Sequence, residues 1–270
     1  MKYMNLSIVD YFGYNLPPQE RLRLIKEAGF SSVMLLWADY FDNDYNLFPE
    51  YASNIGLQIE NAHAPYLRAN YLWKGTLDGQ AAYEELVACI TECAAQGIQT
   101  VVMHPENKNR TETVELPQDF STGLDRMKRI VGMAERLNTN IAVENMSRPE
   151  YLDVIFKNIQ SDKLGFCFDS GHWNVFTPKS DLLSLYGHKL KAVHLHDNDG
   201  IDDWHALPFS GSIDWNDMAT KLAGSTYPGV AALEIGNKKF ESVTDPLDFL
   251  RLAVGRAKKI VDNTESAEGV

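Results

Sequence analysis

Short apolar runs alternate with longer amphipathic stretches along the whole chain of 270 residues. This alternation is typical of parallel strands that are joined by crossover helices packed on the sheet. Eight apolar runs are predicted to be strands, at residues 5–10, 32–37, 58–63, 100–104, 140–144, 165–169, 191–195 and 230–234. Helical stretches lie between them, such as residues 17–29, which begin with proline and end with glycine.

The number of repeating units decides between two fold classes. Eight strand–helix units with no Ser/Gly-rich linker favour one closed (β/α)8 TIM barrel, an α/β fold, over an open doubly wound sheet. We therefore expect a single domain over residues 1–270. Its last helix is expected at 246–260, and residues 263–270 are expected to form a frayed tail.

Metal-ligand residue types recur where six consecutive predicted strands end, or just beyond. Carboxylate and imidazole groups are ligands of divalent cations, and the C-terminal strand ends of a barrel converge on one site. Any one of these residues alone would more often be a core or surface residue, but the set favours a metal site. Five of the seven histidines belong to it, and His188 and His196 do not. The candidate ligands are His63, His104, Glu144, Asp169, His172, His194, Asp203, His205 and Glu234.

Charge bears on the partner that such a site would serve. The chain has 37 acidic and 25 basic side chains, a net charge of −12. This charge repels polyanions, and no Lys/Arg cluster offsets it, so a nucleic-acid partner is not expected. Two further features point to the cytoplasm and away from a membrane: no apolar run is long enough to span a bilayer, and the N-terminus lacks a signal-peptide pattern. The three cysteines have no CxxC spacing and are expected to be buried thiols.

The motifs around these residues resemble a known superfamily. HAPY, HP and EN follow the third, fourth and fifth predicted strands; D-x-x-H, H-L-x-D, D-x-H and a final E follow in order. Over residues 5–260 the chain resembles the xylose-isomerase-like TIM-barrel superfamily, which includes sugar phosphate isomerases/epimerases, ketose 3-epimerases and endonuclease IV. The endonuclease IV pattern implies that all nine candidates are ligands of a trinuclear zinc site.

The epimerase branch implies a simpler centre. There, one divalent ion would be held by Glu144, Asp169, His194 and Glu234, with the two glutamates also acting as catalytic acid and base and His172 touching substrate. We therefore expect a sugar or sugar-phosphate isomerase/epimerase that depends on one to three Mn, Co or Zn ions and works by proton transfer through a metal-stabilised enediolate. The alternative is an endonuclease IV-like zinc phosphodiesterase that cuts at apurinic sites, and a third possibility is a non-catalytic binding barrel.

Two differences from the epimerase and endonuclease IV patterns bear on which partner this chain binds. Position 200 is glycine where the epimerase branch usually has an arginine. The loop at 37–46 carries Asp39, Asp42 and Asp44 without any basic residue, which disfavours a nucleic-acid backbone. A small-molecule sugar is the expected partner, and a homo-oligomer is left open because such barrels often dimerise.

Three further residues are candidate substrate contacts. Tyr66 lies in the HAPY motif, and Trp37 at a predicted strand end could stack on a sugar ring. Lys238, just after Glu234, lies where barrels often hold a phosphate.

Overall fold

Eight parallel strands form one sheet in the computed structural model, which confirms the predicted α/β barrel. The structure describes residues 5–38, 44–108, 114–225, 227 and 230–268. The strands are β1 Leu6–Val9, β2 Ser32–Leu36, β3 Gln58–His63, β4 Thr100–Met103, β5 Asn140–Glu144, β6 Leu164–Asp169, β7 Leu190–His194 and β8 Ala231–Leu233. Their order is β7-β6-β5-β4-β3-β2-β1-β8, and a parallel bridge between Leu195 and Leu233 brings the two outer strands together.

The predicted strand bounds were wrong by one residue at several ends. The predicted strands at 5–10 and 230–234 are each one residue too long at both ends, and β6 and β7 each begin one residue earlier than predicted. The end of a strand is set by where its hydrogen bonds to the neighbouring strand stop, and the hydropathy of one strand does not show where that is.

Nine helices surround the sheet in the described part of the chain, and α1 follows the predicted pattern. It has proline at its first position and ends at Gly29, whose φ of 110° favours glycine. No described helix is both long and apolar enough to cross a membrane. The helices are α1 Pro18–Ala28, α2 Phe48–Asn54, α3 Leu77–Ala95, α4 Ser121–Leu137, α5 Glu150–Asn158, α6 Ser170–Phe176, α7 Leu182–Tyr186, α8 Trp215–Ala223 and α9 Pro246–Glu268.

The last helix, α9, corrects one prediction. It was expected to end at residue 260, yet it continues to Glu268, into the segment expected to be frayed. The segment DNTESAE after Val261 contains no proline and no glycine, so nothing in it breaks a helix.

The barrel interior is filled by small side chains beneath the strand ends. A separate buried cluster contains Val102, Ala142, Cys167 and Ala192. Glu144, Asp169 and His194 lie two residues further along their strands, on the same face of the sheet. The strand period therefore directs these three polar side chains to the C-terminal end of the barrel. The thiols of Cys89, Cys93 and Cys167 are free and buried, as predicted.

Candidate metal centre

Four side chains from four strand ends converge at the C-terminal end of the barrel and form what we term the first group. Glu144, Asp169, His194 and Glu234 each place one ligand atom within 4.8 Å of the others. His194 Nδ1 lies 3.2 Å from Glu144 Oε2 and 2.8 Å from Glu234 Oε2. Glu144, Asp169 and His194 are almost completely buried.

The polar atoms of this group converge without hydrogen-bonding one another. Both carboxylate oxygens of Glu144, Oε2 of Glu234 and both ring nitrogens of His194 are buried and lack a hydrogen bond of good geometry. Three carboxylates that share one buried space with a single histidine repel each other, and a buried charge that is only partly compensated is costly. A divalent cation removes both costs, and the mixed nitrogen and oxygen donor set fits Zn²⁺ and other first-row divalent ions.

A second group adjoins the first through Glu144. His63 Nε2 and His104 Nε2 are 3.1 Å apart, and they lie 3.4 and 3.5 Å from Glu144 Oε2. His63 Nδ1 donates to the carbonyl of Ala64 at 2.8 Å, so its Nε2 is the atom that faces the group.

A third group includes His172, which links it to the first group because its Nδ1 is 3.0 Å from Glu144 Oε1. His172, Asp203 and His205 come together with His196: Asp203 Oδ2 is 3.4 Å from His172 Nε2 and 3.1 Å from His205 Nε2. The structure thus brings all nine predicted ligands into three adjoining groups.

His196 was not among the predicted ligands, yet it lies inside the third group. His196 is completely buried, its Nε2 is 3.1 Å from Asp169, and its ring stacks on His205 with centroids 4.1 Å apart. His196 is two residues after His194, so strand periodicity could have identified it. His188, which was also omitted, is exposed in the 3₁₀ helix Gly187–Lys189.

A buried carboxylate shapes the loop that carries Asp203 and His205. Asp197 accepts hydrogen bonds from the backbone amides of Ser210 and Gly211 and from the indole of Trp215. Its charge is therefore satisfied within the protein, and its role is to hold the loop against the barrel.

The electrostatics of the first group keep both glutamates ionised. Burial raises the pKa of Glu144 and Glu234 more than any other single cause changes it, but His194 and the other neighbouring histidines together bring both pKa values below their usual range. Burial lowers the pKa of His194, and the surrounding acidic groups more than reverse this. In the third group, burial lowers the pKa of His205, but Asp203 together with Glu234 and Asp169 raises it to about 10.

The three groups line a cavity of about 580 Å³, which we term the main cavity. This volume suits a small-molecule ligand. Among its other lining residues are Tyr66, Asn107, Lys108, Met146, Phe176 and Ile201. Only Tyr66 of these six was a predicted substrate contact. Lys108 follows the HPE segment after β4, and its Nζ lies 4.8 Å from the centre of the Phe176 ring.

The predicted substrate contacts differ in where they lie. The Tyr66 ring stacks on His104 with centroids 4.9 Å apart. The predicted sugar contact of Trp37 is wrong, because this residue is buried and its indole donates to Glu92 of α3 at 3.0 Å. Trp37 follows Leu36, which faces the barrel end, so strand alternation turns the indole toward the helices. Lys238 is exposed in the 3₁₀ helix Asn237–Lys239, and its phosphate contact stays a prediction.

The structure describes Gly200 fully and the acidic loop only in part, the two places where the sequence departs from the epimerase and endonuclease IV patterns. Gly200 has a φ of 79°, a backbone conformation that disfavours the arginine of the epimerase branch. In the acidic loop, Asp39 and Asp42 lie outside the described residues, and Asp44 is exposed.

Comparison with known proteins places this chain in a family. The family described as "Xylose isomerase-like TIM barrel" matches residues 22–253, and the chain belongs to it. A protein of Sinorhizobium fredii, "Uncharacterized protein y4fM", is 31% identical over 241 residues, which cover 76% of this chain and 77% of that one.

Two solved structures share the fold. An L-ribulose 3-epimerase superposes with a TM-score of 0.78 at 14% identity, covering 97% of this chain and 95% of its own. The IolI protein with a bound zinc atom superposes with a TM-score of 0.75 at 19% identity, covering 98% and 99%. At these identities the likeness concerns the fold alone.

Proposed function

We propose that this protein is a divalent-metal-dependent isomerase or epimerase of a sugar or sugar phosphate. The observation that carries this proposal is the first group, in which two ionised glutamates from β5 and from the end of β8 meet His194 and Asp169. The epimerase and the zinc-containing protein among the structures of the same fold support it.

The first group fits a divalent ion, since its buried atoms converge without hydrogen bonds of their own. Glu144, Asp169, His194 and Glu234 would hold the ion. When bound, it would supply the Lewis acidity that stabilises negative charge on a substrate oxygen during proton transfer.

The proton transfer itself belongs to the two glutamates. A carboxylate that is ionised and faces the substrate can accept a proton from the carbon next to a carbonyl. Glu234 is 14% exposed and lines the main cavity, whereas Glu144 is completely buried and approaches from β5, three strands away. The two carboxylates thus come from different sides of the barrel end, an arrangement that would suit removal of a proton by one and its return by the other on opposite faces of a bound sugar.

Neighbouring side chains orient the substrate. His172 lines the main cavity and lies 3.0 Å from Glu144 Oε1, so it can hold this carboxylate and donate a hydrogen bond to a sugar oxygen. Tyr66 supplies an aromatic wall beside Glu234, and burial raises its pKa, so its hydroxyl stays protonated and able to donate.

The experiment that tests this proposal follows carbon-bound protons by NMR in D₂O across a panel of ketoses and their phosphates. Glu144→Gln and Glu234→Gln should each lower turnover by orders of magnitude yet retain some metal, because an amide oxygen coordinates but accepts no proton. Each variant should lose deuterium exchange from one epimer and keep some from the other. If the metal-loaded wild type exchanges no proton of any sugar, the proposal fails.

The second candidate function is an endonuclease IV-like zinc phosphodiesterase. The second and third groups favour it, since three adjoining groups could hold three ions that activate water and clamp a phosphodiester. Metal-dependent cleavage of DNA at an abasic site by the purified protein would establish this alternative.

A further inference from the structure

A second cavity of about 230 Å³ opens beside the main cavity, and we term it the side cavity. The two cavities share three lining residues, Tyr66, His205 and Glu234. A ligand that is held beside Glu234 can therefore extend into both.

The walls of the side cavity come from the three strands β8, β1 and β2, which are neighbours in the sheet. Val9 ends β1, Leu36 ends β2, and Ile235 follows Glu234 after β8. Tyr11 adds an aromatic ring that is 42% exposed. Val9 and Leu36 are apolar where the last residues of β5, β6 and β7 are Glu144, Asp169 and His194.

The two cavities therefore differ in chemistry. The polar side chains that reach the side cavity are Tyr66, His205 and Glu234, together with the hydroxyl of Tyr11, and the first three are already placed in the site. A hydroxyl group beside Val9, Leu36 and Ile235 would lose water and gain no partner from these three side chains, whereas a methyl group would bury apolar area.

We propose that the side cavity receives the end of the substrate remote from its carbonyl, and that this end is a methyl group. The substrate class is then a terminally deoxygenated ketose, such as a 6-deoxyhexulose, with its carbonyl end at the first group. This inference rests on the proposed function and names its substrate class.

The test compares hexuloses with their 6-deoxy counterparts, in D and L series, on the Mn²⁺-loaded protein. Each pair differs only in the terminal oxygen. Because an apolar pocket discriminates against an added hydroxyl by up to about 100-fold, we expect kcat/KM for the 6-deoxy sugar to be at least about tenfold higher in the preferred pair. Calorimetric Kd values of the same pair, measured on Glu234→Gln, should favour the 6-deoxy sugar in the same direction.

Matched variants locate the preference. Val9→Thr places a hydroxyl in the side cavity with little change in shape, and it should bring the ratio of 6-deoxy to parent sugar toward one. Leu36→Thr is a second variant at a half-buried position, should Val9→Thr fold poorly. Val175→Thr makes the same change in a residue that lines the main cavity alone, and it should keep the ratio.

The outcomes separate this inference from the proposed function. Equal kcat/KM within every pair, or a ratio that Val9→Thr and Leu36→Thr leave unchanged, overturns the inference while the epimerase proposal stands. Absence of turnover overturns the proposed function, and the Kd ratio then decides the inference. Tighter binding of the 6-deoxy sugar that Val9→Thr abolishes supports it, and equal or absent binding overturns it.

Discussion

Gly171, near the start of α6, lies directly against the His196 ring. Its substitution tests whether the packing around the third group leaves room for an added methyl group. A Cβ atom added at Gly171 would lie 1.9 Å from Cε1 and 2.3 Å from Nδ1 of His196, where ordinary contacts begin near 3.4 Å. The His196 ring cannot move away freely, because it also stacks on His205 at 4.1 Å and contacts Asp169 at 3.1 Å. Gly171→Ala must therefore displace either the start of α6 or the imidazole.

The magnitude follows from this overlap. Overpacking a buried site costs about 1–3 kcal/mol, and a domain of this size loses about 2–4 °C per kcal/mol, so we expect Tm to fall by about 2–12 °C. Displacement of the partner of Asp169 should also weaken Mn²⁺ binding by about 10–100-fold.

Differential scanning calorimetry and titration calorimetry with Mn²⁺ measure these two effects. Gly255→Ala is the control, because a Cβ there meets nothing within 4 Å. It should leave metal binding unchanged and keep or slightly raise Tm. If Gly171→Ala matches the wild type in both Tm and Mn²⁺ affinity, the packing of His196 described here is wrong.

Three further predictions concern other parts of the molecule. Abasic-site DNA should be neither tightly bound nor cut at physiological salt, because the chain carries a net charge of −12; efficient metal-dependent nicking in a gel assay would reverse this. Burial raises the pKa of Glu106 despite a hydrogen bond from Ser147. The wild type should therefore gain stability relative to Glu106→Gln as pH falls toward the ordinary carboxyl value of 4.5, and lose that gain as pH rises through the raised pKa. Urea titrations from pH 8 to 5 measure the difference in unfolding free energy between the two proteins, and a difference that does not change with pH contradicts the prediction. Trp37→Phe should lower stability through the lost Glu92 hydrogen bond and leave KM for sugars unchanged, and a raised KM in steady-state kinetics would restore the sugar contact.

Much of the fold was predictable from hydropathy, because each strand is a short apolar run and each covering helix is amphipathic. The strand ends that matter for the site were predictable for the same reason. Glu144, Asp169 and His194 each terminate an apolar run, so their residue type and position together indicate a shared site.

The remainder depends on contacts between distant segments. Strand periodicity places His196 on the same face as His194, but its contact with Asp169 and its stacking on His205 are visible only in the structure. Trp37 at a strand end was a reasonable candidate for stacking on a sugar ring, but strand alternation directs its indole away from the site, where it donates a hydrogen bond to Glu92. The side cavity depends on three strand ends that are neighbours only in the closed sheet.

The central claim is that the first group is the metal centre of a sugar isomerase or epimerase, and metal stoichiometry tests it most directly. Elemental analysis of protein purified without chelator should find one Mn²⁺- or Co²⁺-type ion per chain. Asp169→Ala and Glu234→Ala should remove that ion while the fold persists, as circular dichroism can verify. Three zinc ions per chain would contradict this account and favour the phosphodiesterase, and unchanged metal content in either variant would show that the ion binds elsewhere.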